Sequence, residues 1–187
     1  MSDAAPAWAH EKTDVLPHDP QLAERARTER AQLARSLAPW LVDGVEHVGS
    51  TAVPGLAAKP VIDLMASVTD PDAVVAQAEQ QLAADGWCYV PPDVDSGGEW
   101  RRFFVKPDAS GQRRVAHLHV IRAGHPRWAD QITFRDALRR DDQLARSYED
   151  LKRRLAAQHP GDREAYTEAK SQFVADAVRR ASRPGIS

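Results

Sequence analysis

One stretch constrains this chain more than any other: Glu46-His47-Val48-Gly49-Ser50-Thr51, running through Pro54-Gly55 and Lys59-Pro60 to Val61-Ile62-Asp63-Leu64-Met65. Apolar residues bracket it, with Val45 and Val48 on one side and Val61, Ile62 and Leu64 on the other. Between them lie two glycines, two prolines, a Ser-Thr pair and one lysine. The pattern reads as a strand, a tight polar loop and a second strand carrying one acid. Glycine lets a backbone approach a ligand closely, and consecutive N–H groups in such a turn can cradle an anion. Pro54-Gly55 is a turn signal, because proline presets the first turn angle and glycine supplies positive φ at the second. Alternate residues of a strand share a face, so Val61, Asp63 and Met65 point one way and Ile62 and Leu64 the other. An acid in so apolar a strand must be paired, hydrogen-bonded or metal-bound, because burying it alone is costly. Two readings of Asp63 stay open: a functional acid, or a structural one paired with Lys59 or with an arginine downstream.

The 187 residues suit one domain with a sizeable core. Residues 1–17 read as a flexible arm that Trp8 could anchor, 18–181 as the domain, and 182–187 as a tail. Asp19-Pro20 opens a helix, with Asp19 as N-cap, Pro20 at the first helical position, and Leu22, Ala26, Leu33 and Leu37 on one face. The strand-loop-strand unit spans about Gly44 to Val68. Asp70-Pro71 starts a second helix, with Val75, Ala78 and Leu82 inward and Gly86 as its stop. Trp87 to Val90 is a short strand, and Asp93 to Glu99 is a polar loop suited to a mobile flap. Arg101 to Lys106 and Arg114 to Ile121 form an antiparallel hairpin. Residues 125–181 are helical: Trp128 to Arg139, Asp141 to about Gln158 with Leu144, Tyr148, Leu151 and Leu155 inward, and Asp162 to Ala181 with Tyr166, Ala169, Phe173 and Ala177 inward. Pro160-Gly161 separates the last two. The expected class is α/β (α+β): a mixed sheet of four or five strands flanked by helices, with a helical C-terminal segment.

A formal net charge of -2 gives no global basic field for nucleic acid. The single cysteine, Cys88, excludes an intrachain disulfide and a multi-cysteine zinc site and suits a reducing compartment. No apolar run approaches the ~20 residues of a membrane span, and no signal peptide is visible, so the expected location is cytoplasmic.

His117 and His119 alternate with Ala116, Leu118 and Val120, so the two imidazoles project from one strand face. They could share a metal, or a phosphate if one is protonated, or be hydrogen-bonded structurally. Histidine ligands favour zinc or manganese over magnesium, which prefers oxygen. Lys59, Arg101, Arg102, Lys106, Arg113 and Arg114 form a basic set. Arg101 and Arg102 face opposite sides, so only one can serve a pocket on the histidine face. Phe103 and Phe104 read as core. Ser50 and Thr51 suit phosphate binding rather than nucleophilic attack, and His47 reads as a structural hydrogen-bonding residue.

The run from His47 through Gly49-Ser50 to Asp63-Leu64 resembles the signature of the GrpB-like family, related to the nucleotidyltransferase superfamily. Trp100-Arg-Arg-Phe-Phe, Arg114-Val-Ala-His-Leu-His and Phe134-Arg135-Asp136 with Arg139 resemble further family segments, as do Tyr166 and Lys170, and the likeness spans about His18 to Ala181. The resemblance implies a nucleotidyltransferase-like sheet core and transfer of a nucleotidyl group from a nucleoside triphosphate to an acceptor that the sequence does not name. It implies that Gly49, Ser50 and Thr51 hold the nucleotide and that Asp63 binds a divalent metal (magnesium or manganese), or zinc together with His117 and His119. Lys59 and Arg101 would then neutralise transition-state charge. Met65 stands where many active superfamily members place a second acid. The alternatives are a catalytically silent binding or accessory module, as in family domains fused to dephospho-coenzyme A kinase, and a one-metal Asp/His/His hydrolase or sensor site.

Overall fold

Helical periodicity at Leu22, Ala26, Leu33 and Leu37 and two-residue periodicity at Ile62, Leu64, Ala66 and Val68 meet in one apolar interior. A computed structural model describes residues 6–10, 15–95, 98–158 and 163–182, with side chains left out at 10, 156 and 163–169. The elements run α1 (Gln21–Ser36), β1 (Leu41–Val48), β2 (Ile62–Val68), α2 (Pro71–Ala84), β3 (Cys88–Val90), β4 (Arg102–Pro107), β5 (Arg114–Arg122), α3 (Pro126–Arg140), α4 (Asp142–Gln158) and α5 (Arg163–Ala181). The five strands form one sheet in the order β1-β2-β5-β4-β3. β2 and β5 pair in parallel and every other neighbouring pair is antiparallel, so the expected mixed sheet and the β4–β5 hairpin are both present.

Register decides what the two faces carry. Helices α1 and α2 cover one face through Leu22, Ala26, Leu33, Val74, Ala78 and Leu82, packed on Ile62, Leu64, Phe104, Leu118 and Val120. The opposite face carries the odd-numbered residues of β2 and β5, where Val48, Met65 and Ile121 form a smaller cluster with Trp100 and Trp128. The third cluster is the helical C-terminal part: Phe134 and Leu138 of α3, Tyr148 of α4 and Ala177 of α5. Val53 and Leu56, from the loop between β1 and β2, insert into it and join the loop to the helices.

Several boundaries differ from the sequence reading for local reasons. Pro20 occupies the N-cap position of α1, while the Asp19 carboxylate accepts from Gln21 N at 2.9 Å. β1 begins at Leu41, with an irregularity between Leu41 and Gly44 (φ 93). In α2 the residue driven into the core is Val74, with Val75 packed partly against it. Asp70 caps α2 as expected, accepting from Asp72 N at 3.1 Å. Asp141 caps α4, accepting from Gln143 N and Leu144 N. The loop expected to be a mobile flap is tethered where it is described, because Asp95 pairs with Arg101. Of the N-terminal arm, Trp8 lies against Arg114, whose guanidinium donates to Trp8 O and Ala9 O, and Leu16 bridges Ala58. The Pro160-Gly161 break, the inward roles of Tyr166 and Ala169, and residues 183–187 of the tail lie outside the described residues. Among the described residues no helix is long and apolar enough to cross a membrane.

Leu64 is fully buried in the middle of β2, whereas Val42 is 53% exposed on the edge strand. Replacing Leu64 with Ala should cost about 2–5 kcal/mol in urea unfolding, and Val42→Ala within about 0.5 kcal/mol.

Candidate functional site

Three elements meet at the C-terminal end of β1. Gly49 turns the chain with φ 73 and ψ -170 into a 3-10 turn at Ser50–Ala52. A side chain at Gly49 would place its Cβ 2.6 Å from Asp63 Oδ2, so the Asp63 carboxylate occupies the space that only glycine leaves open. The Gly-Ser turn and the acid of β2 are therefore in contact.

The parallel pairing of β2 with β5 sets Asp63 beside His117 and Met65 beside His119. Asp63 Oδ1 lies 2.9 Å from His117 Nδ1 and 3.8 Å from His119 Nε2. The carboxyl side chain is 32% exposed, and those of the histidines 18% and 17%. Burial alone would raise the Asp63 pKa, but the hydrogen bond with His117, and His119 beside it, hold it well below the usual carboxylate range. Of the two arginines at the start of β4, Arg101 is the one on this face. Its guanidinium bonds Nδ1 of His119, pairs with both oxygens of Asp95 at 2.7 and 2.9 Å, and covers the Phe103 ring at 4.0 Å. Arg102 turns the other way and pairs with Asp72. Burial, reinforced by the charge of Arg101, lowers the His119 pKa to about 4, so His119 is neutral near pH 7.

These contacts assign protons. Ionised Asp63 only accepts, so His117 Nδ1 carries hydrogen, and its Nε2 is a buried atom without a partner among the described residues. Arginine only donates, so His119 accepts at Nδ1 and carries its hydrogen on Nε2, toward Asp63. Asp63, His117 and His119 each offer a ligand atom, all within 4.8 Å of one another. This set of one oxygen and two nitrogens fits a single borderline cation such as manganese or zinc, and the buried His117 Nε2, with no hydrogen-bond partner among the described residues, is a nitrogen available to it. Ligation through His119 Nε2 requires Arg101 to release Nδ1, so that the proton can change nitrogen. A pair of magnesium ions does not fit these groups. Met65, two residues beyond Asp63 on the same face, is buried against Val48 and Ile121, and Asp95 is engaged by Arg101.

On the other side of the turn α4 grips the loop backbone. Glu149 accepts from Ala57 N at 3.0 Å, and Lys152, one turn on, donates to Ala57 O and to Ser50 Oγ, the latter at 3.1 Å. Lys152 is 3% exposed, and burial, then the charge of Lys170, lowers its pKa to about 8. Sequence reading missed this residue. The available signal was its spacing: Tyr148, Lys152 and Leu155 fall at i, i+4 and i+7, so a lysine sits within the apolar stripe of α4. Thr51 is turned inward. Its hydroxyl donates to Val61 O at 3.3 Å and receives His47 Nε2 at 3.0 Å, so Ser50 supplies the hydroxyl beside Lys152. His47 is the structural residue expected, with burial lowering its pKa to about 4. Lys59 lies partly exposed on the loop just before β2.

Two measurements test this arrangement. The Lys152 pKa is lower folded than unfolded, so the unfolded chain binds more protons between about pH 8 and its ordinary value of 10.5. Stability should therefore gain about 3 kcal/mol across that window relative to Lys152→Met, read from urea midpoints. Arg101→Met releases His119 Nδ1 and removes a cation, and should tighten manganese or zinc binding about tenfold by calorimetry. Unchanged or weaker binding would show that Arg101 does not restrain His119.

Comparison with known proteins agrees with this architecture. The family described as GrpB protein matches residues 12–180. The UPF0157 protein YqkA of Bacillus subtilis is 33% identical over 172 residues, covering 92% of this chain and 48% of its own, so the chain spans about half the length of that relative. The crystal structure of the conserved protein GrpB from Enterococcus faecalis superposes with a TM-score of 0.74 at 27% identity, over 89% of this chain and 98% of that one. Cid1 in complex with its short product ApU superposes with a TM-score of 0.52 at 14% identity, over 82% of this chain and 48% of that one, a likeness of fold alone. With a family match across nearly all its residues, the chain belongs to the GrpB family.

Proposed function

We propose that this protein binds a nucleoside triphosphate at the Gly49–Thr51 turn and transfers its nucleotidyl group to an acceptor. The observation that carries the reading is the contact of Lys152 Nζ with Ser50 Oγ, on a turn whose glycine is packed against the Asp63 carboxylate. A cation, a turn presenting N–H groups and an acid thus stand side by side, as recognition of a polyphosphate requires. Gly49, Ser50 and the Thr51 backbone hold the phosphates, and Lys152, Arg101 and Lys59 offset their charge. Asp63, with His117 and His119, would hold a divalent cation, which when bound supplies Lewis-acid polarisation of the phosphoryl oxygens. The likeness of fold to Cid1, whose structure contains the product ApU, supports a nucleotide as ligand.

A second reading is a binding or accessory module without turnover. It is favoured by Met65, fully buried where a second acid would stand, and by Asp63 being already paired with two histidines.

Thermal unfolding with each nucleoside triphosphate and manganese or magnesium tests the first reading, run on wild type, Asp63→Asn and Lys152→Met. Ligand at a hundredfold over its dissociation constant should add about 2.7 kcal/mol and raise the midpoint by several degrees. The shift should need metal and vanish in Asp63→Asn. Bound phosphate raises the Lys152 pKa, so affinity should fall as pH rises through about 8, and Lys152→Met should lose that dependence. A shift without pyrophosphate release would favour the module, and no shift with any nucleotide would sink the nucleotide reading.

A further inference from the structure

A cavity of about 220 Å³ lies along the outer edge of β1, between α1 and α3, and is lined by Arg27, Arg30, Arg135, Arg139, Glu46 and His47. Part of this cluster seals the sheet. Arg30 Nε donates to Val45 O at 2.8 Å and Arg135 Nη1 to His47 O at 3.0 Å, so each caps a carbonyl on the unpaired side of the edge strand. Glu46 pairs with both arginines, at 3.3 and 2.6 Å. Edge sealing accounts for those two arginines and does not account for the other two. Arg139 donates to Ala52 O through Nε and Nη2, at 2.9 and 2.7 Å, with Nη1 left 3.5 Å from Asp136. Arg27 projects from α1, with an ion pair to Glu24.

The cavity wall therefore carries four guanidinium groups and one carboxylate. His47 adds no charge near neutral pH, because burial lowers its pKa to about 4. Glu24 and Asp136 also pair with these arginines, Asp136 holding Arg135 at 2.8 Å, so four guanidinium groups stand against three carboxylates and leave one net positive charge that favours an anion. Arg30 spends Nε and Nη2, and Arg27 spends Nη2, so each has further N–H groups for a ligand. These remaining N–H groups come from α1, since Arg135 of α3 engages all three nitrogens with Glu46, Asp136 and His47 O and Arg139 engages Ala52 O. Two guanidinium groups from one helix suit an oxyanion with several acceptor oxygens. At ~30 Å³ per water the cavity holds about seven waters, enough for a phosphate group with a sugar-sized substituent.

We propose that this arginine-lined cavity binds a phosphate group, free or carried on a small monoester, at a site separate from the Ser50–Lys152 turn. The site stands independently of the nucleotide reading, since Asp63, His117 and Lys152 do not line it.

The test is calorimetric titration of the full chain at constant ionic strength with inorganic phosphate and, separately, ribose 5-phosphate. The proteins are wild type, Arg27→Gln, Arg27→Gln/Arg30→Gln and Lys152→Met. Both ligands should bind wild type; Arg27→Gln should weaken binding about tenfold and the double variant further, while Lys152→Met stays at wild-type affinity. Tighter binding of ribose 5-phosphate assigns the site to a monoester, and equal binding assigns it to phosphate itself. The Arg27 guanidinium is exposed and makes none of the contacts to β1, so Arg27→Gln keeps the fold and isolates the cavity's charge. Three outcomes overturn the proposal: no binding to wild type, full binding to the double variant, or binding lost in Lys152→Met and kept in Arg27→Gln. The last would place the anion on the Ser50 turn.

Discussion

A carboxylate on an inner strand of a sheet is the constraint to which the rest of this molecule answers. Asp63 sits between β1 and β5, with Gly49 against one side and two histidines on the other. Left alone there it would be protonated or destabilising. Its ionisation is maintained by the hydrogen of His117 Nδ1, with His119 Nε2 at 3.8 Å, and the tautomers of the two rings follow from that demand and from Arg101. Glycine at position 49, histidines at alternate positions of β5 and arginine at the start of β4 are thus one solution, distributed over four segments.

The helical C-terminal part completes the site. Val53 and Leu56 bury themselves among α3, α4 and α5, while Glu149 accepts from the backbone N–H of Ala57 and Lys152 donates to its carbonyl. The turn that presents Ser50 is fixed by these contacts, and Lys152 reaches it only because α4 packs there. Arg135 and Arg139 of α3 act similarly on the outer side, holding the carbonyls of His47 and Ala52 at either end of the turn. The loop is braced from both flanks, and each brace places a cation near it.

Much of this was legible in the residues. Two-residue alternation at Ile62, Leu64 and at Leu118, Val120 set Asp63 on one face of its strand and His117 and His119 together on one face of theirs, and the pairing of the two strands makes these the same face of the sheet. Opposite orientations for Arg101 and Arg102 follow from the same alternation, and the structure has them so. Helix starts at Asp70-Pro71 and beside Asp141 were readable because capping is local chemistry. Lys152 was overlooked because a lysine in a helix is ordinarily solvated, and only the packing of α4 on the loop removes it from water. The inward turn of Thr51 was equally hidden, since a hydroxyl beside a glycine turn can face either way.

The sequence by itself determined the strand-loop-strand unit, the faces of its strands and the residue types able to bind phosphate or metal, because all of these rest on short-range periodicity and backbone preference. Tertiary structure alone decided which of those residues meet. The parallel register of β2 with β5 brings Asp63 to His117 across 54 positions of sequence, and the docking of α4 brings Lys152 to Ser50 across 102. Such pairings depend on how separately formed elements pack, and no local spacing encodes them.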